Sequence, residues 1–447
     1  MTAATFAADA TANAIADNTS DGTADPIADT ADAAGTADTA VIDLTDVELF
    51  AQNRHHEAFR RLREQSPVYR NPSADGTSFW ALTRYDDIMA AYIDHDAFSS
   101  IHGAILGGSF RTGGDTASGE MLVASDPPRH RILRRVMHPA FAPAMVERIQ
   151  QSVRTLIAEA MLGVRADGGC DFALDFAPLL PIGALMAMFT IGADDARHVV
   201  GLTRRMVGYR DAALCDLSGD ERLRLAHAQS EIFEFFADLL DERGDATGDD
   251  DVIGMLRRAE INGEPLTDAQ LLYNCMNIAV GGNETTSYTI CSGFLALLEN
   301  PHEWQRLRAE RALLPGALDE MLRWGSTNAY VQRVTTRDVV VGGTAGTERV
   351  EIAAGETVTL WNVSANRDPA HFPDPDRFDI TRSPNRHMSF GSGVHRCIGA
   401  PAGNVELAEA CHALLDSGLD FRLAGDPVRL RSNFILGFTS LPVEIGA

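Results

Sequence analysis

The sequence predicts a mainly α fold with a small β-rich part, on three observations. Helical periodicity dominates from Pro127 to Trp324. One pattern, opening at Thr267-Asp268 and closing at Glu299-Asn300 before Pro301, runs for about thirty residues. It lacks heptads and carries interior glycines, which fits the central strut of a large domain better than a coiled coil. After Trp324 the texture changes to short β-rich pieces: Val331 to Val341, Arg349 to Ile352 and Thr357 to Leu360.

Taken in order, residues 1–42 stand apart. Positions 1–40 hold seven Asp and no Arg, Ala and Thr make up most of the rest, and no aromatic follows Phe6. Such a stretch buries too little apolar surface to order itself, so an acidic disordered tail is expected. It lacks the basic start and apolar core of a signal peptide, which points to the cytoplasm. From Asp43 the chain reads as globular, with 43–447 expected to form a single domain. Val47 to Gln65 reads as a helix, Phe79 to Thr83 as a strand and Tyr85 to Tyr92 as a second helix. Ser99 to Ala124 is a long Gly/Ser-rich loop. Helices are then expected at Pro127 to His138, Pro143 to Leu162, Ala184 to Ile191, Asp194 to Leu214, Asp220 to Arg243 and Val252 to Arg258. The acidic run Asp245 to Asp251 reads as a solvated loop. Beyond the strut come a helix at Ala317 to Trp324, a Pro/Asp-rich coil from Asn366 to Pro384, and a helix at Ala400 to Leu415. The uncharged stretch Phe176 to Ala193 has membrane length, but Pro178 and Pro181 leave only the part from Ile182 free to run as a helix. A buried core helix is the better reading.

All 38 basic residues are arginine, against 63 acidic ones, for a formal charge of −25. Without the tail's seven Asp the balance is −25 + 7 = −18. That sign excludes a nucleic-acid binder and a polybasic membrane anchor. The six cysteines form no CxxC pair, so neither a disulfide scaffold nor a zinc ribbon is indicated.

The strongest chemical signal is Phe390-Gly391-Ser392-Gly393-Val394-His395-Arg396-Cys397-Ile398-Gly399. One Cys ends a Gly-rich turn directly before a helix. Glycines let backbone N–H groups approach the sulfur, and the helix N-terminus favours a thiolate. This decapeptide resembles the haem-binding loop of the cytochromes P450. The resemblance implies the P450 fold, haem b as cofactor and Cys397 as the axial thiolate of the haem iron. It also implies Phe390 as the shield on the sulfur side, Gly391 and Gly399 as part of the cofactor loop, and His395 as a propionate contact. The other five cysteines read as core residues.

Three more elements follow the family order. In Gly281-Gly282-Asn283-Glu284-Thr285-Thr286, two adjacent mid-helix glycines cost about 1 kcal/mol each relative to Ala and so need a reason. Without Cβ atoms they admit a flat cofactor, while Thr285 can bond the Gly281 carbonyl. The pattern is similar to the P450 oxygen-activation motif, which implies Thr285 as the residue that steadies dioxygen and Glu284 as its acidic partner in proton delivery. Glu320 and Arg323, spaced i, i+3, can pair on a helix face. In the family this pair is buried behind the haem, and Pro375-Asp376-Arg377-Phe378 resembles the coil that supplies a third member, Arg377. In Asp126-Pro127-Pro128-Arg129-His130, His130 and Arg134 share a face, and the resemblance implies that both, with Arg333, bind haem propionates.

The function implied is a haem-thiolate monooxygenase that inserts one oxygen atom from O2 into a small or medium organic substrate, most often by hydroxylation in natural-product tailoring. A catabolic, lipid or steroid hydroxylase, an oxidative coupling or desaturating P450, a peroxygenase and a non-catalytic haem-thiolate sensor are the alternatives. With 447 − 397 = 50 residues after Cys397 there is no room for a fused reductase, so a separate ferredoxin and ferredoxin reductase are expected. Arg131, Arg135 and Arg396 are candidates for the face that docks an acidic ferredoxin. Substrate contacts are expected from the Ser99 to Ala124 loop, from Ile278 and Gly282, from Asn328 and Val331, and from the turn around Phe438.

Overall fold

Why the strut is the backbone of the molecule is visible in the element order. The computed structural model describes residues 41–72, 78–106, 117–244, 250–343 and 348–446. Among these the helices are α1 (Val47–Ala51), α2 (His55–Gln65), α3 (Tyr85–Ile93), α4 (Arg129–Met137), α5 (Pro143–Asp167), α6 (Leu179–Phe189) and α7 (Ala193–Val207). They continue with α8 (Glu221–Arg243), α9 (Val252–Arg257), α10 (Asp268–Glu299), α11 (Pro301–Ala309), α12 (Leu314–Gly325), α13 (Asn362–Ala365) and α14 (Ala400–Asp416). The described residues from Ile42 onward form one compact unit. The tail at 1–40 and the loop glycines Gly107, Gly108, Gly113 and Gly114 lie outside the described residues, as does most of the acidic run at 245–249.

The strut is α10, 32 residues long. Thr267 caps it through a reciprocal pair: its Oγ1 accepts from Gln270 N at 3.3 Å and the Gln270 side chain accepts from Thr267 N at 3.0 Å. Its second half, from Ser287 to Leu297, is buried on every face, as a helix surrounded by α6, α7, α12 and α14 must be.

Three expectations are corrected. Val47 to Gln65 is two helices, because Asn53 takes a left-handed conformation (φ 57°) that asparagine tolerates and a helix interior does not. The helix expected from Ile182 begins at Leu179, since Pro181 falls in the first turn, where no N–H is needed. The helix expected to reach Leu214 stops at Val207, with Gly208 as its cap. The membrane-length apolar stretch Phe172–Phe189 is 78% buried within the protein.

The β-rich part is a five-stranded sheet ordered 68–71, 79–82, 357–360, 331–335, 98–99. Its pairings are antiparallel except for Val358 to Leu360 beside Trp80 to Leu82, which run parallel. The central strand Thr357–Leu360 is buried throughout. A second sheet joins Gly169–Asp171 to the C-terminal strands Phe421–Leu423 and Pro442–Ile445.

Candidate active site

The cysteine loop is shaped by what lies behind it. Cys397 N donates to the Phe390 carbonyl at 2.8 Å and Gly391 N to the Met388 carbonyl at 2.8 Å, closing the turn. Gly391 and Gly393 have φ of 64° and 65°, and a Cβ on Gly393 would stand 2.3 Å from the Tyr92 carbonyl oxygen, so α3 packs against the loop only because that position is glycine. A Cβ on Gly399 would crowd Phe141 at 3.3 Å. Helix α14 starts three residues after the cysteine. Burial pushes the Cys397 thiol up, while the amides of Gly399 and Ala400 and the guanidinium of Arg134 pull it down. Those amides and that charge favour a thiolate ligand. Phe390 is half-buried and lines the cavity with Cys397.

Across a cavity of about 360 Å³ lies α10. Gly281 and Gly282 are exposed to it in the middle of an otherwise buried helix, and a Cβ on either would meet nothing within 4 Å. Thr285 Oγ1 donates to the Gly281 carbonyl at 2.9 Å and Thr286 Oγ1 to the Gly282 carbonyl at 3.1 Å. Glu284 does not line the cavity. At 1% exposure it points towards α7, where Oε1 accepts from Thr203 Oγ1 at 3.1 Å and Oε2 lies 3.5 Å from Arg204 Nε. Burial pushes its carboxyl up, with Arg204 opposing. Below Thr286, the carboxyl of Glu406 on α14 borders the cavity at 3% exposure, and burial raises it to about 8. The Thr286 side chain beside it opposes that shift.

At one edge of the cavity, His130 and Arg134 on α4, Arg333 on its strand and His395 in the loop converge. The His130 and His395 rings touch at a tilt, with centroids 4.1 Å apart and planes inclined by 50°. Both nitrogens of His130 and Nε2 of His395 are buried without a partner among the described residues. Desolvation lowers His130 to about 4 and His395 further, so both rings are neutral near pH 7. Two guanidiniums and two orphaned imidazoles suit a pair of carboxylates.

Glu320 and Arg323 are both fully buried. Arg323 donates to the two Glu320 oxygens at 2.7 and 2.8 Å and to the carbonyls of Asn366, Pro375 and Arg377, which uses all five of its donors. The third member is Arg382, whose Nε reaches Glu320 at 3.2 Å. This corrects the expectation for Arg377: its side chain is exposed, and only its carbonyl takes part, accepting from Arg323 and Arg382. Asn366 passes the order on, taking Met388 N at 2.7 Å and donating to Ser389 Oγ at 3.0 Å, two residues before the cysteine turn.

Of the expected substrate contacts, Ile278, Gly282, Asn328 and Val331 line the cavity. Phe438 does not: its ring is buried beneath Arg429, 4.7 Å away. Phe434 and Ile435 take the place, because Ala329 N bonds the Phe434 carbonyl and Leu436 N the Thr327 carbonyl, pinning that segment beside the strand. The sequence reading also missed Tyr92, Asn366, Arg382 and Glu406. A buried acid on an amphipathic helix was a visible signal only for Glu406.

The residues present fit haem b: a cysteine flanked by amide donors, glycines on the facing helix, and orphaned donors where two carboxylates belong. Fold and site together define a haem-thiolate oxygenase. The Cytochrome P450 family model matches residues 216–423. The chain is 33% identical to cytochrome P450 NovI of Streptomyces niveus, over 90% of this chain and 96% of that protein. It is 34% identical to linalool 8-monooxygenase of Pseudomonas putida, over 90% and 98%. A cytochrome P450 of Mycobacterium marinum, solved in complex with pseudoionone, superposes with a TM-score of 0.81 at 30% identity, over 92% of this chain and 100% of that one. The chain belongs to the cytochrome P450 family and is a monooxygenase with haem b as its cofactor, dependent on a redox partner for electrons.

Proposed function

We propose that this monooxygenase hydroxylates a branched, mostly apolar natural product of terpenoid size. The observation that carries this is the cavity itself: Met121, Leu122, Leu185, Met206, Val207, Ile278 and Val280 wall a space that ends on Gly281, Gly282 and Thr285. Such a surface orients a flexible hydrocarbon by shape and excludes water. The named chemistry of two relatives, linalool and pseudoionone, supports the same class. Natural-product tailoring in the cytoplasm is the corresponding role.

Bound haem supplies the activation of dioxygen and the transfer of one oxygen atom. The chain's own residues hold it and manage protons. Cys397 would ligate the haem iron; His130, Arg134, Arg333 and His395 would bind the propionates; Phe390 and the loop glycines would seat the macrocycle. Thr285 keeps its hydroxyl proton on the Gly281 carbonyl, and rotation about its side chain turns that proton to the cavity. Glu284 acts from the far side of α10 as the store that refills Thr285, after release from Arg204. The exposed guanidiniums of Arg131, Arg135 and Arg396 have no ion pair among the described residues and form the docking face for a ferredoxin. The test is turnover of linalool by the haem-loaded protein with a surrogate ferredoxin and its reductase. Hydroxylated product is expected; reductant consumed without product from this or any other branched terpenoid would remove the proposal.

A further inference from the structure

Once the polar groups of the cavity are matched to partners, one side chain stands out. Thr289 and Thr327 bond each other at 2.9 Å, Asn283 bonds Thr203 at 3.1 Å, Asn328 bonds Asn362 at 3.3 Å, and Ser389 donates to the Leu322 carbonyl at 2.6 Å. His130, Arg134 and His395 are claimed by the propionates, and Glu406 lies behind Thr286. Asn277 remains. It lines the cavity, is half-buried on α10, and its amide bonds no group among the described residues. An amide that faces the cavity from a mostly apolar wall, with no protein partner among the described residues, is available to a ligand group.

Helix geometry fixes what it can read. Asn277, Gly281 and Thr285 are spaced i, i+4, i+8 and so follow one side of α10. Eight residues at 1.5 Å each put Asn277 about 12 Å along the axis from Thr285. The walls between are apolar, Ile278 and Val280 among them.

We infer that Asn277 is the specificity anchor of this site: its amide hydrogen-bonds the single hydroxyl or keto group of an otherwise apolar substrate, so that the chain end remote from that group lies over Gly281 and Thr285. The inference rests on the terpenoid reading above and adds to it which part of the substrate is recognised and which end is oxidised. An amide suits this task because it offers both a donor and an acceptor, and so serves an alcohol or a ketone alike.

The experiment compares linalool with citronellene, the hydrocarbon of the same skeleton without the hydroxyl, by the low- to high-spin shift of haem-loaded wild type, Asn277→Leu and Asn277→Ala. The reduced carbon monoxide spectrum serves as the control that each variant keeps its thiolate ligand. Wild type is expected to bind linalool roughly tenfold more tightly than citronellene, and both variants are expected to lose that preference while binding citronellene at least as well. Retention of the preference in either variant that keeps the thiolate spectrum overturns the anchor. Equal binding of both ligands by wild type overturns the anchor and leaves the terpenoid reading standing; binding of neither overturns both.

Discussion

Glu320 behind the cysteine loop and His130 beside the cavity are buried alike, at 0% and 1% exposure, and are treated in opposite ways. Around Glu320 every valence is filled: two arginines, the Asp379 amide and the Asn385 side chain converge on its two oxygens. Around His130 both ring nitrogens are left without a partner among the described residues. A folded chain leaves a buried polar atom unpaired at a cost of about 1–3 kcal/mol, so repetition of the omission at His130 and His395 within one cavity marks groups kept for ligands. Within this site, saturation marks support and omission marks binding.

The largest effect should come from breaking the saturated side. Arg323→Ala strands the Glu320 carboxylate and frees the carbonyls of Asn366, Pro375 and Arg377, and should cost about 3–5 kcal/mol in denaturant unfolding, with loss of haem incorporation. Arg382→Ala should cost less, because Arg323 still neutralises Glu320. Arg377→Ala, which removes an exposed side chain, should stay within about 0.5 kcal/mol. Equal losses for Arg377 and Arg382 would contradict the assignment of the third member.

That last contrast shows where the sequence was legible. Local spacing carried the strut, its cap at Thr267, the cysteine turn and the Glu320–Arg323 pair, because each is decided within a few residues. Arg377 and Arg382 sit five residues apart in one irregular coil, and only the path of that coil around Glu320 separates them. The same limit applies to Phe438 and Phe434, told apart by pairing with residues 327–329, more than a hundred positions upstream. Glu284 is a third case: a helix pattern gives its neighbour in sequence, Thr285, but not which packed helix, here α7, receives its side chain.

Next in size is a pH effect that sets two buried groups against each other. Glu406 has its folded-state pKa raised from 4.5 to about 8, so the native protein keeps a proton the unfolded chain releases. Stability therefore falls as pH rises through that window. His55, buried, is lowered by desolvation from 6.5 to about 3, so stability falls as pH drops through its window. Glu406→Gln should flatten the alkaline side, gaining on the order of 4 kcal/mol near pH 8, and leave the acid side unchanged. His55→Phe should do the reverse. Thermal unfolding at a series of pH values reads both; an unchanged alkaline slope in Glu406→Gln would mean that carboxyl is ionised in the native state.

A kinetic effect of about tenfold is expected at Thr285. Thr285→Val keeps the shape and loses the hydroxyl proton, so product formed per reductant oxidised should drop while the spin shift with linalool and the reduced carbon monoxide spectrum stay as in wild type. A drop in ligand binding instead would make Thr285 a packing residue of the cavity wall.

The smallest effect belongs to the surface. Arg131, Arg135 and Arg396 have no ion pair among the described residues, but they stand in water, where an open valence costs nothing because solvent fills it. Their omission therefore carries less information than that of His130, and charge is the only argument for them. Reversing all three to Glu should slow electron transfer from an acidic ferredoxin by roughly two- to fivefold at low ionic strength. The difference should vanish towards 1 M salt, where the screening length is about 3 Å. Stopped-flow reduction of the linalool-bound protein measures it, and a rate unaffected by either the reversal or the salt would move the docking face elsewhere.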